Sequence, residues 1–106
     1  MVEEIDPATL QAELASENPP VLLDVREAQE LEISRLPNVL HIPMNLIPAR
    51  ASELNPSDPI VVVCRSGNRS RQVAQYLMGR GFKNVRNLST GMNGWAREVD
   101  PTIQTY

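Results

Sequence analysis

The sequence predicts an α/β fold in which a central, mostly parallel five-stranded sheet carries helices on both faces. Three observations predict it. Short apolar runs rich in β-branched residues alternate with helix-patterned segments along the whole chain, the order expected of βαβ units. The runs at residues 21–25 (Val-Leu-Leu-Asp-Val) and 60–63 (Ile-Val-Val-Val) lack polar alternation, as strands covered on both faces do. Nine prolines punctuate the chain, and no internal repeat, low-complexity tract or long linker interrupts it.

Taken in order, residues 2–5 form a brief edge strand. Asp6 is an N-cap and Pro7 the first helical residue, with Ile5 and Leu10 at the spacing of a hydrophobic staple. Leu10 and Leu14 continue one helical face until Asn18-Pro19-Pro20 ends it. The strand at 21–25 leads into a short acidic helix over 27–33. Residues 39–42 form the next strand, closed by Pro43. Asn45 is expected to cap a helix that buries Ile47, Ala51 and Leu54, with Pro48 in its first turn, where a missing N–H costs little. A turn cluster at 55–59 precedes the most hydrophobic strand, 60–63. Val73, Ala74, Leu77 and Met78 then make a helical stripe, with Arg80 near its end and Gly81 as the stop. Residues 85–88 form the last strand and 91–96 a final helical turn or two. The tail, 99–106, shows no clear period.

At 106 residues the chain is expected to form one domain spanning 1–106. Its net charge of -3 offers no electrostatic case for nucleic acid or an anionic membrane. A single cysteine makes no internal disulfide and leaves no candidate for a structural zinc site. The first residues, Met1-Val2-Glu3-Glu4, are acidic where a targeting peptide would be basic, and no apolar run is long enough to span a bilayer. A free thiol in such a chain suggests a reducing compartment, so a cytoplasmic location is expected.

That cysteine, Cys64, ends the strand at 60–63 and opens the run Arg65-Ser66-Gly67-Asn68-Arg69-Ser70-Arg71. Free cysteines are more often small buried hydrophobes than reagents. The neighbours argue otherwise. In parallel sheets ligands bind beyond the carboxyl ends of the strands, and Cys64 stands at such an end. Arg65, Arg69 and Arg71 bring three positive charges close to it, and Gly67 permits a tight anion-cradling loop. The helix that follows, with Ser70 at its cap or in its first turn, points N–H groups at the sulfur. All these effects favour thiolate over thiol. Arg65 has a second reading as the partner of a carboxylate such as Asp24, and Arg71 as a solvated surface residue. His41, the only histidine, lies on a different strand, so activation has to come from the loop itself.

With this loop in view, the chain resembles a single-domain rhodanese along nearly its whole length. Cys64-Arg65-Ser66-Gly67-Asn68-Arg69-Ser70 is similar to the family's Cys-Arg-x-Gly-x-Arg-Ser loop. Leu23-Asp24-Val25-Arg26-Glu27 resembles its Asp-Val-Arg-Glu strand end. The segment from Leu36 to Pro43 and the stretch from Leu88 to Trp95 resemble its Pro-Gly-Ala and Gly-Gly-x-x-x-Trp segments. Departures are Asn38 for a glycine, Thr90 in the Gly-Gly pair, and the absence of Gly-His near residues 33–35. Asparagine tolerates positive φ better than most residues, so a turn at Asn38 can survive.

The resemblance implies a rhodanese-like three-layer fold and a sulfurtransferase cycle. Cys64 would take sulfane sulfur from a small anionic donor such as thiosulfate and pass it to cyanide, a thiol or a protein acceptor. Backbone N–H groups from Arg65 to Ser70 would cradle the persulfide, Arg65 and Arg69 would orient the donor, and Asp24 and Arg26 would support the loop. No metal or organic cofactor is implied. Two other classes compete. One is a sulfur-carrier or interaction module without turnover, against which the retained Cys64 and its arginines argue. The other is a cysteine-based phosphatase or arsenate reductase on the same fold. A phosphatase loop needs its arginine at position 70, where this chain has Ser70, and a loop of this length suits a sulfur atom on the cysteine.

Overall fold

A computed structural model describes residues 1–106. Five strands, β1 (Glu3–Ile5), β2 (Val21–Asp24), β3 (Leu40–His41), β4 (Ile60–Val63) and β5 (Val85–Leu88), form one sheet in the order β1-β5-β4-β2-β3. Every neighbouring pair is parallel, which sharpens the expected mostly parallel sheet. β4 lies at the centre, with Ile60 opposite Val21 on one side and Val85 on the other. Its side chains alternate between two cores. Ile60 and Val62 join Cys64 in one, while Val61 and Val63 enter the other, and all five are at most 1% exposed. A four-residue apolar run therefore satisfies both faces at once.

Helices α1 (Pro7–Leu14) and α5 (Gly91–Glu98) cover one face, where Leu10, Met92 and Trp95 pack with Ile5, Leu22, Val61, Val63 and Leu88. Asp6 caps α1 as expected, its Oδ1 accepting the Thr9 N–H at 2.8 Å. The helix stops at Leu14, before the proline pair. The other face is covered by α3 (Ile47–Arg50) and α4 (Asn68–Gly79), whose Ile47, Val73, Ala74 and Leu77 meet Leu23, Ile60, Val62 and Val85. The short helix α2 (Ala28–Ile33) buries none of its side chains and stands beside the carboxyl end of the sheet.

Two expectations are corrected. The single helix capped by Asn45 is instead a 3-10 turn (Met44–Leu46), α3 and a second 3-10 turn (Ala51–Glu53), and Asn45 lies inside the first turn. Pro48 explains the break: it has no N–H to return to the Met44 carbonyl, which accepts from Ile47 in the tighter 3-10 pattern. Ile47, Ala51 and Leu54 are buried nonetheless. The α4 stripe is also narrower than the spacing suggests. Val73, Ala74 and Leu77 are buried, but Met78 is 36% exposed.

The end of α4 follows its sequence signal closely. Gly81 takes φ +93°, its N–H donates to the Met78 carbonyl at 3.2 Å, and the Phe82 N–H donates to the Leu77 carbonyl at 3.1 Å. This is a Schellman ending, with Phe82 and Leu77 in the same core. Leu77→Ala is expected to cost about 2–5 kcal/mol in urea unfolding, since a fully buried leucine leaves a cavity. Met78→Ala one residue on should stay within about 0.5 kcal/mol.

Candidate active site

Cys64 follows directly on β4, so its sulfur stands at the carboxyl edge of the central strand. The chain then turns sharply enough to bring the start of α4 back over it. Gly67 makes that turn with φ +103°, a conformation costly for any side chain, and a Cβ there would run into the Ser89 carbonyl. The Gly67 N–H donates to Cys64 Sγ at 3.1 Å. Asn68, Arg69 and Ser70 form the first turn of α4, and the Ser70 Oγ lies 3.2 Å from the same sulfur.

The outer side of the loop is held by α5. Its first N–H groups have no partners within the helix, and two of them are used here: Met92 donates to the Cys64 carbonyl at 2.9 Å and Asn93 to the Arg65 carbonyl at 3.0 Å. Gly91, at φ +63°, lies so close to these carbonyls that a Cβ would overlap them. The glycine-containing stretch before Trp95 therefore serves as a clamp on the cysteine loop, while Trp95 packs in the core beneath.

Burial pushes the Cys64 thiol up. Donation from the Ser70 hydroxyl, and from the backbone N–H groups of Ser70, Gly67 and Ser66, outweighs that effect and holds the thiol below its ordinary value. The three arginines read from the sequence are largely engaged elsewhere. Arg69 donates to both carboxylate oxygens of Glu30, at 2.7 and 2.8 Å. Arg71 pairs with Glu4 at 3.0 Å. Arg65 is exposed and stacks over the Tyr106 ring, 5.1 Å from its centroid. Hydrogen-bond donors close to the sulfur thus favour the thiolate more directly than the arginine charges do.

Asp24 does not pair with Arg65. Its carboxylate is bound by Arg26, with Nε 3.0 Å from Oδ1 and a terminal nitrogen 2.8 Å from Oδ2, and both residues are 0% exposed. The other Arg26 N–H groups donate to the Glu30 and Ser34 carbonyls and to the Tyr106 hydroxyl, so every one is used. Burial lowers the Arg26 pKa, and the bonds to Asp24 and Tyr106 more than restore it. The Tyr106 hydroxyl in turn donates to Glu30 Oε2 at 2.7 Å. His41 Nε2 lies 2.7 Å from the Arg26 carbonyl oxygen, to which it donates. Of the residues singled out in the sequence, Cys64, Gly67 and Ser70 come together at the sulfur, Arg69 is joined to Glu30, and Asp24 and Arg26 form a buried pair behind them.

Three participants carried little signal in the sequence. Glu30 is one acid in an acidic helix, and Tyr106 lies in a segment without periodicity. Asn87, a polar residue in the strand Val-Arg-Asn-Leu, is 0% exposed, and its Oδ1 lies within hydrogen-bonding reach of Ser70 Oγ. An uncharged polar residue within a strand, next to the charged Arg86, is the one clue the sequence offers. The largest cleft, about 580 Å³ and lined by Ala28, Leu31, Glu32, Arg35 and His41, lies beside β3, away from Cys64.

Known proteins resemble this chain along most of its length. A family model described as a rhodanese-like domain matches residues 6–98. The chain is 41% identical over 103 residues to a sulfurtransferase of Allochromatium vinosum, covering 97% of this chain and 96% of that protein. It is 36% identical over 95 residues to the thiosulfate sulfurtransferase GlpE of Pseudomonas savastanoi pv. phaseolicola, covering 89% and 90%. The crystal structure of a rhodanese-like domain protein from Staphylococcus aureus matches with a TM-score of 0.86 at 28% identity, over 99% of both chains.

The Glu30–Arg69 pair has a pH signature. The Arg69 guanidinium lowers the Glu30 carboxyl from 4.5 to about 2 in the folded chain. A depressed folded value means that this contribution to stability is complete above about 4.5 and is lost as pH falls toward about 2. In urea titrations, Glu30→Gln should therefore be less stable than the unmodified chain at neutral pH, and the difference should close through that acid window.

Proposed function

The chain belongs to the rhodanese-like family, whose members include the sulfurtransferases it resembles, and from that premise we propose that it moves sulfane sulfur through a persulfide on Cys64. The observation that carries the reading is the convergence of the Gly67 N–H, at 3.1 Å, and the Ser70 hydroxyl, at 3.2 Å, on the Cys64 sulfur. Such donors stabilise a sulfur anion at neutral pH, and the thiolate is the form that attacks.

With thiosulfate as donor, the Cys64 thiolate attacks the outer sulfur. A Cys–S bond to that sulfur forms, the donor's own S–S bond breaks, and sulfite leaves with the electron pair. The negative charge then rests on the outer sulfur of the persulfide. Cyanide, a thiolate or a protein acceptor removes that sulfur and restores the Cys64 thiolate. No proton need move at the sulfur in either half of the cycle, so the site works without a general base, which fits the placement of His41 on the Arg26 carbonyl. With one cysteine in the chain, the acceptor comes from outside.

Individual roles follow from the placements. Backbone N–H groups at the start of α4 cradle the charged sulfur. Arg65, exposed and without a carboxylate partner, is the group available to draw in an anionic donor. Arg69 acts through its hold on Glu30, fixing the first turn of α4 against α2. Asp24 and Arg26 fix the end of β2 and the Tyr106 contact behind Arg65. A phosphate-ester reaction is disfavoured because the position such a loop gives to its phosphate-binding arginine is held by Ser70, whose hydroxyl is already on the sulfur.

Incubation with thiosulfate should add one sulfur atom to the intact chain, seen by mass spectrometry, and Cys64→Ser should lose both the adduct and cyanide-dependent thiocyanate production. Persistence of turnover in Cys64→Ser would sink the proposal. Ser70→Ala removes a hydrogen bond to a charged group, so it should raise the Cys64 pKa and slow iodoacetamide alkylation at neutral pH by about tenfold. The inflection of the alkylation–pH profile should move upward to match.

A further inference from the structure

Asn87 is the one fully buried polar side chain near Cys64 to which the sulfur-transfer scheme assigns no part. It sits on β5, opposite Glu4 of β1 and Val62 of β4. An unpaired amide at such a place would be costly, and both of its polar atoms are occupied. Nδ2 donates to Glu4 Oε1 at 2.8 Å and to the Gly67 carbonyl at 3.1 Å. A carboxylate and a carbonyl only accept, so these two partners fix which end of the amide is which. Oδ1 must then face Ser70.

The consequence concerns a single proton. Ser70 Oγ lies within hydrogen-bonding reach of two acceptors, Asn87 Oδ1 and Cys64 Sγ, and a hydroxyl has one hydrogen to donate. Rotation about one C–O bond moves that hydrogen from one acceptor to the other, with no heavy atom displaced. We propose that Asn87 is a positioning residue for Cys64: it supplies the alternative acceptor that takes the Ser70 hydrogen whenever the sulfur carries no charge, whether protonated or bonded to a second sulfur. The thiolate draws the hydrogen to itself, and the neutral sulfur returns it to Asn87. Neither state leaves a buried hydroxyl without a partner.

The charged groups around this pair are tied to one another. Glu4 on β1 is bound to Arg71 of α4 and to Asn87, Glu30 of α2 to Arg69 of α4, and Asp24 at the end of β2 to Arg26. Arg65 points to Tyr106. The Ser70 hydrogen is the mobile element among fixed neighbours.

The persulfide half of the idea rests on the sulfur-transfer reading, but the thiol half does not and can be tested with no sulfur donor present. In the unmodified chain, the side-chain amide NMR resonances of Asn87 should shift with pH along the same curve as the alkylation of Cys64 by iodoacetamide. They should stay still in Ser70→Ala. Asn87→Leu, or Asn87→Ala if leucine does not fold, removes the acceptor that favours the neutral sulfur. The thiol should therefore become more acidic, with alkylation below its pKa about threefold to tenfold faster, the value of one hydrogen bond. In the Ser70→Ala background the same substitution should have no effect. A merely structural Asn87 would loosen the loop and make the thiol less acidic in both backgrounds. That result, or Asn87 resonances that ignore Cys64 ionisation, overturns the proposal; if sulfur transfer failed while these titrations held, only the sulfur-transfer reading would fall.

Discussion

A buried sulfur can hold a charge only if donors replace the water it has lost, and most of the local structure follows from the turn that supplies them. Gly67 bends the chain through a left-handed conformation so that its own N–H and the first turn of α4 return to Cys64. There is no room for a side chain beneath that turn, because the Ser89 carbonyl lies against it. The strand end that provides Ser89 then leads into α5, whose first N–H groups take the Cys64 and Arg65 carbonyls. β4, β5 and the two helices beginning beside their carboxyl ends thus constrain one short loop from both sides. This is the carboxyl edge of a parallel sheet used as a donor-rich site.

Around that loop the arginines form a framework as much as a field. Arg26 and Asp24 are wholly buried, and an ion pair there must recover a large desolvation cost. It does so by using every N–H of the guanidinium, and in the process it ties β2, α2 and the last residue of the chain together. Glu30 is the second node, accepting from Arg69 and Tyr106. These bonds leave Arg65 as the cation of the cysteine loop that faces outward without a carboxylate. Positive charge at the rim and hydrogen bonds at the sulfur are thereby supplied by different groups.

Much of this was legible in the sequence because it depends on local rules. The apolar run before Cys64, the cap at Asp6, the stop at Gly81 and the glycine within the cysteine loop each report a backbone requirement that one or two residues satisfy. The order of the motifs also sufficed to bring the family into view. The segment after Pro43 reads as one helix because apolar spacing is the same for an α-helix and for three short turns that bury the same residues. Spacing sets Met78 on one stripe with Val73, Ala74 and Leu77 but does not tell where the stripe's edge meets solvent.

By itself the sequence determined the parallel α/β architecture, the position of Cys64 at the end of its central strand, and the presence of a tight loop opening a helix. These follow from periodicity and from turn chemistry, which act over a few residues. Only the tertiary structure decided which groups bear on the sulfur and which are committed elsewhere. Arg69 meets Glu30 across 39 residues, Arg71 meets Glu4 across 67, and Asn87 reaches Ser70 across 17. A charge near Cys64 in sequence can be spent on a carboxylate brought from another strand or helix, and a distant amide can become a neighbour. Pairing of this kind is set by how the sheet orders its strands, and no pattern within a single segment records it.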